Sequence, residues 1–326
     1  IHGGDELTAE VEEDVEKVGA LPSYQPTRSE YNEHCVIHSP YRPWCRHCCE
    51  GRGQEFGHLR RREHDASRVP MVAFDYAGIR DNGEFISPDE LKGIDDESVV
   101  ARILVVALRT PDDRQSCVFG HVVPCKGVDR DQFSVDCLVS DIVWTGYTRV
   151  LLKSDNEPAI LKLLIESLKE LRINGLGQVM SENSPEYDPQ SNGMAEAAVK
   201  SWKGMFRTHR SALEESLKCK IPITHPIVSW LAKWAGDILV WTVKGLDGLS
   251  AYQRVRGKPF RTRLPAMGET VRFKLRPHEP IANSSDGRRF HDGIFLGIDR
   301  RTGQYILYDG DGCIKYARTI MRVPDD

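Results

Sequence analysis

The order of apolar segments along this chain is the sequence feature that most constrains its fold. Alternating apolar and polar residues predict strands, and apolar residues at helical spacing predict helices. The predicted strands of the middle region cover residues 69–79, 101–110, 116–124, 149–155 and 177–183. The predicted helices of the same region cover residues 131–147, 157–172, 193–217 and 227–244. Three strands followed by alternating helices and strands predict an α/β layer built on a mixed sheet.

The segment after Pro265 has a different pattern. Short alternating strands follow one another there, separated by turns rich in Gly and Asp. These predicted strands cover residues 269–276, 289–299, 303–310 and 313–323. Short strands at regular spacing, joined by tight turns, predict a small β-barrel.

The charge of the chain is distributed unevenly, although the formal net charge is only -4. Residues 1–27 carry seven acidic residues and one Lys, a net charge of -6, and are predicted to be a linker or a frayed helix. Residues 28–196 carry 28 acidic and 20 basic residues, a net charge of -8. Residues 197–326 carry 13 acidic and 23 basic residues, a net charge of +10. This C-terminal part is either a polyanion-binding segment or a solvated basic surface.

Hydropathy and cysteine placement limit the classes of protein further. No apolar run approaches the roughly 20 residues of a bilayer-spanning helix, so we expect no membrane span. The chain has nine cysteines, and four of them fall within residues 35–49. Such clustering indicates a metal site in a reducing compartment rather than a disulfide framework.

The segment from residue 33 to residue 53 contains the pattern of a zinc site. His34 and His38 have three residues between them, and Cys45 and Cys48 have two. Two His on one helix face and a Cys-x-x-Cys knuckle offer four nitrogen and sulfur ligands for tetrahedral Zn²⁺. The neighbouring His47 and Cys49 are possible substitutes as ligands. A site closed by four protein ligands serves folding and docking rather than chemistry.

Three carboxylates, in or next to the predicted strands and helices of the middle region, are candidates for a shared site. Asp75 lies within an apolar strand, where a charge is costly unless it is paired or bound to metal. Asp155 ends a strand before a helix and is either a helix cap or a ligand. Glu196 is predicted in the first turn of a helix, where acids are favoured. Together they match the needs of phosphodiester chemistry, in which two hard divalent ions are held by carboxylates.

The three blocks around these acids resemble the catalytic core of retroviral and retrotransposon integrases. The blocks read "VAFDYAG", "LKSDNEP" and "PEYDPQSNGMAEAAVKSWK". The third is the most specific, because it matches the Pro-Gln-Ser-x-Gly-x-x-Glu pattern of that family from Pro189 to Glu196. The second matches its Asp-Asn pair through Asp155 and Asn156. Two departures are Glu157, where the family usually has Gly, and the forty residues between Asp155 and Glu196.

The resemblance implies a ribonuclease-H-like fold with a mixed sheet and flanking helices, preceded by a zinc module and followed by an SH3-like β-barrel. It implies 3′-end processing and strand transfer by Asp75, Asp155 and Glu196, which would hold two Mg²⁺ or Mn²⁺ ions. The implied partners are the DNA of the element's ends, target DNA and further copies of the chain, in the nucleus. The implied divisions are an acidic linker at 1–27, a zinc module at 28–62, a catalytic core with helical extension at 66–262 and a DNA-binding barrel at 263–326.

Four polar residues near Glu196 are candidates for nucleic acid contacts. Lys200 and Lys203 follow Glu196 by one and two helical turns and are either phosphate contacts or solvated surface residues. Gln190 and Asn192 are placed to line a DNA groove, and Trp202 is predicted to be a core residue. Two other functions stay open: another ribonuclease-H-like nuclease, and a domesticated or inactive relative that serves as a DNA-binding or scaffold protein.

Overall fold

The computed structural model describes most of the chain, with gaps. The described residues are 24–53, 69–86, 90, 100–109, 116–154, 157–176, 178–183, 189–245, 247–274 and 289–323. Within them the chain forms a mixed α/β fold with seven helices and two five-stranded sheets. In this described part, none of the helices has the length and apolar character needed to cross a bilayer.

The four helices predicted in the middle region are present, and the described residues form seven helices in all. In chain order they are α1 (Arg28–Ile37), α2 (Arg46–Arg52), α3 (Phe133–Thr145), α4 (Pro158–Ile173), α5 (Pro189–Leu217), α6 (Ile227–Thr242) and α7 (Ala251–Arg256).

The first sheet is mixed, as the order of strands and helices predicted. Its strands are β1 (Met71–Ile79), β2 (Ala101–Arg109), β3 (Ser116–Val123), β4 (Arg149–Ser154) and β5 (Gln178–Asn183). The strand order is β3-β2-β1-β4-β5. β1 pairs antiparallel with β2 and parallel with β4, because β1 and β2 follow each other directly whereas the chain returns to β4 through α3. Eight of the nine residues of β2 are buried, which agrees with the apolar run from Ile103 to Leu108.

Helices cover this sheet at close range. α5 packs against β1, β2 and β3, and α6 packs against β3 and α5. Gly120 in β3 permits this contact, since a Cβ at that position would lie 2.1 Å from Nε1 of Trp202. Trp202 is fully buried, and its Nε1 donates to the carbonyl oxygen of Ala232 at 3.0 Å. The prediction that Trp202 belongs to the core is confirmed.

The long helix α5 starts earlier than predicted. It begins at Pro189 rather than at Gly193, so Glu196 is its eighth residue and does not lie in the first turn. Proline suits a first helical position, because its missing N–H is not needed there and its φ angle is already helical. The Ser191–Gly193 stretch, whose residues favour a turn, is therefore part of the helix.

The C-terminal sheet is antiparallel throughout. Its strands are β6 (Thr270–Lys274), β7 (Phe290–Ile298), β8 (Tyr305–Tyr308), β9 (Ile314–Ala317) and β10 (Ile320–Arg322), in the order β10-β6-β7-β8-β9. The single strand predicted over 313–323 is wrong, because two strands lie there and they pair with different neighbours. Its inner face joins the core of the first sheet, where Phe295 meets Trp234 edge to face at 5.4 Å. The closure of this sheet into a barrel and the predicted domain boundaries stay predictions.

Candidate functional site

The four predicted zinc ligands converge in a buried cluster. His34, His38, Cys45 and Cys48 each offer a donor atom, and these atoms all lie within 4.8 Å of one another. Nε2 of His34 is 3.3 Å from Sγ of Cys48, and Nδ1 of His38 is 3.4 Å from Sγ of Cys45. Each of the four residues is at least nine-tenths buried.

Two short helices and the turn between them build this cluster. α1 is started by a capping box in which Thr27 and Glu30 exchange hydrogen bonds, and His34 lies in its last turn. His38 is the C-cap of α1 with φ +49°, and the predicted placement of both His on one regular helix face is therefore wrong. The left-handed turn at His38 redirects its ring toward Cys45, which is the N-cap of α2, while Cys48 lies one turn further along α2.

The electrostatics of the cluster favour a thiolate at Cys48. A hydrogen bond with Cys45 is the main cause that lowers the pKa of Cys48, and His34, His38 and Arg52 act in the same direction against burial. The same pairing with Cys48 raises the pKa of Cys45. Burial lowers the pKa of His38, which keeps its imidazole neutral. A thiolate and neutral imidazoles are the protonation states in which these side chains bind metal.

The donor set and its spacing fit Zn²⁺. Bonds of roughly 2.0–2.3 Å from a tetrahedral zinc leave neighbouring donors a little over 3 Å apart, as the two nitrogen–sulfur distances are here. The substitutes considered from the sequence lie outside the cluster. His47 hydrogen-bonds Ser211 at 2.9 Å through Nδ1, and Cys49 is exposed beside Tyr41.

The cluster is docked on helix α5. Gly51 of α2 faces Thr208 and Gly204 so closely that a Cβ on Gly51 would lie 2.1 Å from Oγ1 of Thr208. Nε of Arg207 donates to the carbonyl oxygen of Gly51 at 3.3 Å, and His47 pairs with Glu215 at 2.6 Å. The His/Cys unit therefore rests on the same helix that carries Glu196.

Asp75 lies half-buried in the middle of β1, between buried neighbours on both sides. Its Oδ1 accepts the backbone N–H of Tyr76 at 2.7 Å. Lys203 of α5 lies near enough that the Asp75 carboxylate raises the pKa of Lys203, while burial and Arg207 lower it more. The Asp75 carboxylate therefore lies within electrostatic range of a cationic side chain, and its role as a metal ligand stays a prediction.

Lys203 and Lys200 have different environments on α5. Nζ of Lys203 donates to the carbonyl oxygen of Ile86 at 3.4 Å and lies 5.1 Å from the centre of the Phe85 ring. Lys203 is therefore half-buried between the helix and the end of β1, while Lys200 is exposed. Of the two, Lys200 is the one whose charge faces solvent.

Asp155 and Asn156 lie outside the described residues, but their neighbours on both sides are described. The parallel pairing of β1 and β4 matches Ala73 with Lys153, so Asp75 and Asp155 each come two residues after a matched pair. Helix α4 begins at Pro158, and its N-cap is Glu157, whose side chain makes no capping hydrogen bond. The Glu157 carboxylate instead forms an ion pair with Lys126 at 3.0 Å.

Glu196 is exposed on α5, and the side chains of Gln190 and Asn192 lie outside the described part. The described residues therefore place Asp75 and the helix of Glu196 on one sheet. They do not themselves bring the three carboxylates together.

Comparisons with known proteins give a remote similarity. No protein-family model matches the chain, and no curated protein matches it. One chain in the cryo-EM structure of the simian T-cell lymphotropic virus intasome in complex with PP2A regulatory subunit B56 gamma is 14% identical. That alignment covers 86% of this chain and 88% of the other, with a TM-score of 0.37.

A buried charge network joins the two sheets, and sequence reasoning missed it. Arg300, in the turn between β7 and β8, binds Asp141 of α3 at 2.5 Å and also binds Asp237 of α6. His121 hydrogen-bonds Asp141 at 2.7 Å, and Lys233 pairs with Asp237 at 2.8 Å. The sequence did contain a signal for this network. Asp141 and Asp237 each interrupt an apolar stretch of a helix, where a buried charge needs a partner.

Proposed function

We propose that this chain is an integrase-like polynucleotidyl transferase that performs 3′-end processing and strand transfer of DNA. In this proposal Asp75, Asp155 and Glu196 are the catalytic carboxylates of a ribonuclease-H-like core. Two Mg²⁺ or Mn²⁺ ions bound by them would activate the attacking oxygen and stabilise the leaving oxygen of the phosphodiester.

The register of β1 and β4 is the observation that carries this proposal. Residues that follow a matched pair by equal steps on parallel neighbouring strands come to adjacent positions, because parallel strands advance together. Asp75 and Asp155 each follow the Ala73–Lys153 pair by two residues. We therefore infer that Asp75 and Asp155 belong to one site on neighbouring strands.

The position of α5 supports Glu196 as the third carboxylate. Lys203 lies within electrostatic range of Asp75, and Glu196 precedes Lys203 by seven residues, which is about two turns on the same face of the helix. We therefore propose that α5 brings Glu196 to the side of the sheet on which Asp75 lies. The exposure of Glu196 leaves it open to a metal ion and to DNA.

The other residues have supporting roles in the proposal. Lys200 is exposed one turn beyond Glu196 and is proposed to contact a DNA phosphate. Lys203 holds a positive charge beside Asp75 and limits repulsion among the carboxylates. Gln190 and Asn192 are proposed to line the DNA groove.

The flanking regions complete the proposal. The His/Cys cluster is proposed to hold one structural Zn²⁺ in a module at 28–62, with the core at 66–262. Residues 263–326 are proposed to form an SH3-like barrel that binds DNA through its basic side chains. We further propose that the chain acts as a multimer in the nucleus.

A metal-dependent joining assay tests this function. The purified chain is incubated with a labelled duplex that carries the element's terminal repeat sequence and with plasmid DNA, in Mg²⁺ or Mn²⁺. We expect labelled strands joined to the plasmid, and loss of joining in Glu196→Gln, because a neutral amide binds a hard cation poorly. The matched control Glu166→Gln, on α4 and paired with Lys169, should join DNA like the wild type.

Different outcomes separate the remaining functions. Cleavage without joining would indicate another ribonuclease-H-like nuclease. DNA binding with neither reaction, in wild type and Glu196→Gln alike, would overturn the proposed catalysis and indicate a DNA-binding or scaffold protein.

A further inference from the structure

A cavity of about 780 Å³ lies between the first sheet's helices and the C-terminal sheet. One wall comes from α3, α6 and α7, and the other comes from β8, β9 and the turn between β7 and β8. This volume is typical of a small-molecule site, and interfaces between packed units are common places for one. None of the proposed catalytic or zinc-binding residues lines it.

The floor of this cavity is closed by charges that satisfy one another. Asp141 is held by His121 and Arg300, and Lys233 pairs with the buried Asp237. Nη2 of Arg300 is nevertheless buried without an acceptor in the part of the chain that the structure describes. The guanidinium of Arg300 lies 4.3 Å from the centre of the Phe119 ring, so contacts for a ligand must come from the rim of the cavity.

The rim carries two exposed guanidinium groups beside the carboxylates of Asp136 and Asp299. Arg256 and Arg301 are exposed, and neither forms a salt bridge with a described residue. The carboxylate of Asp299 is engaged by the backbone N–H groups of Arg301 and Thr302 at 2.7 and 3.2 Å. The rim therefore offers two guanidinium groups, which suit a phosphate because they donate several hydrogen bonds in a fixed plane.

Aromatic rings line the same cavity. Trp144, Trp230 and Tyr316 contribute to its walls, and the guanidinium of Arg256 lies 4.6 Å from the centre of the Trp144 ring. Nε1 of Trp144 is a second buried donor without an acceptor among the described residues. Flat aromatic faces next to guanidinium groups are the arrangement on which nucleic acid bases stack.

We propose that this cavity binds one nucleotide unit, with its base against Trp230 and Tyr316 and its phosphate on Arg256 and Arg301. A double helix is far too wide for a cavity of about 780 Å³, so the ligand is a free nucleotide or an unpaired nucleotide of a strand. Both sources have the same chemistry, a base joined to a phosphate. The proposal does not depend on strand transfer, because the binding needs no divalent metal.

Calorimetric titration of the full chain tests this site in buffer without added divalent metal. The probes are deoxyadenosine monophosphate, deoxyadenosine, inorganic phosphate and a five-nucleotide single strand. We expect one mononucleotide bound per chain, with deoxyadenosine and phosphate each weaker by at least about tenfold, because each retains only half of the contacts. Equal affinity for inorganic phosphate would overturn the proposal and indicate a general anion site.

Substitutions on the rim assign the binding to this cavity. Arg256→Gln and Arg301→Gln should each weaken mononucleotide binding by about tenfold, because each removes a charge-assisted contact to phosphate. Both side chains are exposed, so the variants should fold, and Arg172→Gln on α4 is a charge-matched control outside the cavity. Binding unchanged in both rim variants would overturn the proposal.

Two further measurements locate the base and its source. Photocrosslinking with 5-iodo-deoxyuridine monophosphate should label the peptide that contains Trp230 or Tyr316, and labelling confined to other peptides would overturn the assignment. If the rim variants weaken the five-nucleotide strand as well, the ligand is part of a strand. If they weaken only the mononucleotide, the ligand is a free nucleotide.

Discussion

The His/Cys cluster and the carboxylate trio are two predicted metal sites that differ in how far their residues lie apart along the chain. The four cluster residues fall between positions 34 and 48, whereas the trio extends from Asp75 to Glu196. Two short helices and one turn bring the cluster together, so its spacing alone predicted its convergence. The trio depends on strand register and on the path of a 29-residue helix, which no short pattern encodes.

Burial separates the two sites as well. The cluster is enclosed and rests on α5, which suits a structural metal. Asp75 is half-buried and Glu196 is exposed, which suits a site that must admit DNA. The following changes test this difference, from the largest expected effect to the smallest.

Removal of a cluster ligand should have the largest effect. Cys48→Ser should release zinc and unfold the N-terminal module, because structural zinc supplies roughly 10–16 kcal/mol of apparent binding free energy in small zinc modules. Elemental analysis should find one zinc per wild-type chain and none in the variant. The neighbouring Cys49→Ser is the control, since Cys49 is exposed and outside the cluster, and it should keep the metal. A zinc-free wild type would show that the His/Cys cluster is not a structural zinc site.

Asp155→Asn should separate catalysis from folding. If Asp155 is a metal ligand, joining should fall by at least about a hundredfold while thermal unfolding barely changes, because the amide keeps the shape but loses the charge. The control is Glu157→Gln, two residues away, whose carboxylate pairs with Lys126. Full activity of Asp155→Asn would show that the trio is not a catalytic site.

The residues of the buried charge network are far apart in the sequence, like those of the trio, and are buried, like those of the cluster. This network predicts that the stability of the fold depends on pH. Burial by itself lowers the pKa of His121, but the Asp141 carboxylate and Cys137 together outweigh burial and raise that pKa to about 9. This value exceeds the ~6.5 of an unfolded His. Protonated His121 therefore contributes its full stabilisation below about pH 6.5 and loses it as the pH rises through about 9, by on the order of 3 kcal/mol.

Urea unfolding from pH 6 to pH 10 measures this contribution. The decline between about pH 6.5 and pH 9 should disappear in His121→Gln and persist in His225→Gln, whose side chain is exposed. An identical decline in His121→Gln would assign the pH dependence to other groups.

Gly51→Ala should have the smallest effect, confined to the docking of the cluster on α5. The added Cβ would lie 2.1 Å from Oγ1 of Thr208 and 2.7 Å from its backbone nitrogen, so the helices must separate. We expect a loss of about 1–3 kcal/mol in the free energy of unfolding, despite the higher helix propensity of Ala. The control Gly193→Ala has open space around its Cβ and should be neutral or slightly stabilising. Equal stability of the two variants would mean that the close docking is not required.

Local patterns determined much of this structure from the sequence alone. The order of strands and helices in the mixed sheet, the strand-rich C-terminal region, the burial of Trp202 and the four cluster residues were all predicted. These features depend on periodicity and on spacings of a few residues, which are present in the sequence independently of any long-range contact. The convergence of the trio could not be predicted in the same way, because spacing along the sequence does not determine where distant strands and helices meet.

Only the tertiary structure decided the features that depend on long-range contacts. Packing of α5 on the sheet half-buries Lys203 against Phe85 and the carbonyl oxygen of Ile86 instead of leaving it in solvent. The left-handed turn at His38 and the pairing of Arg300 with Asp141 arise in the same way, from partners that become neighbours after folding. The sequence determines which side chains need a partner, since burying a charge or a donor is costly, and the packing of distant elements determines which partner each receives.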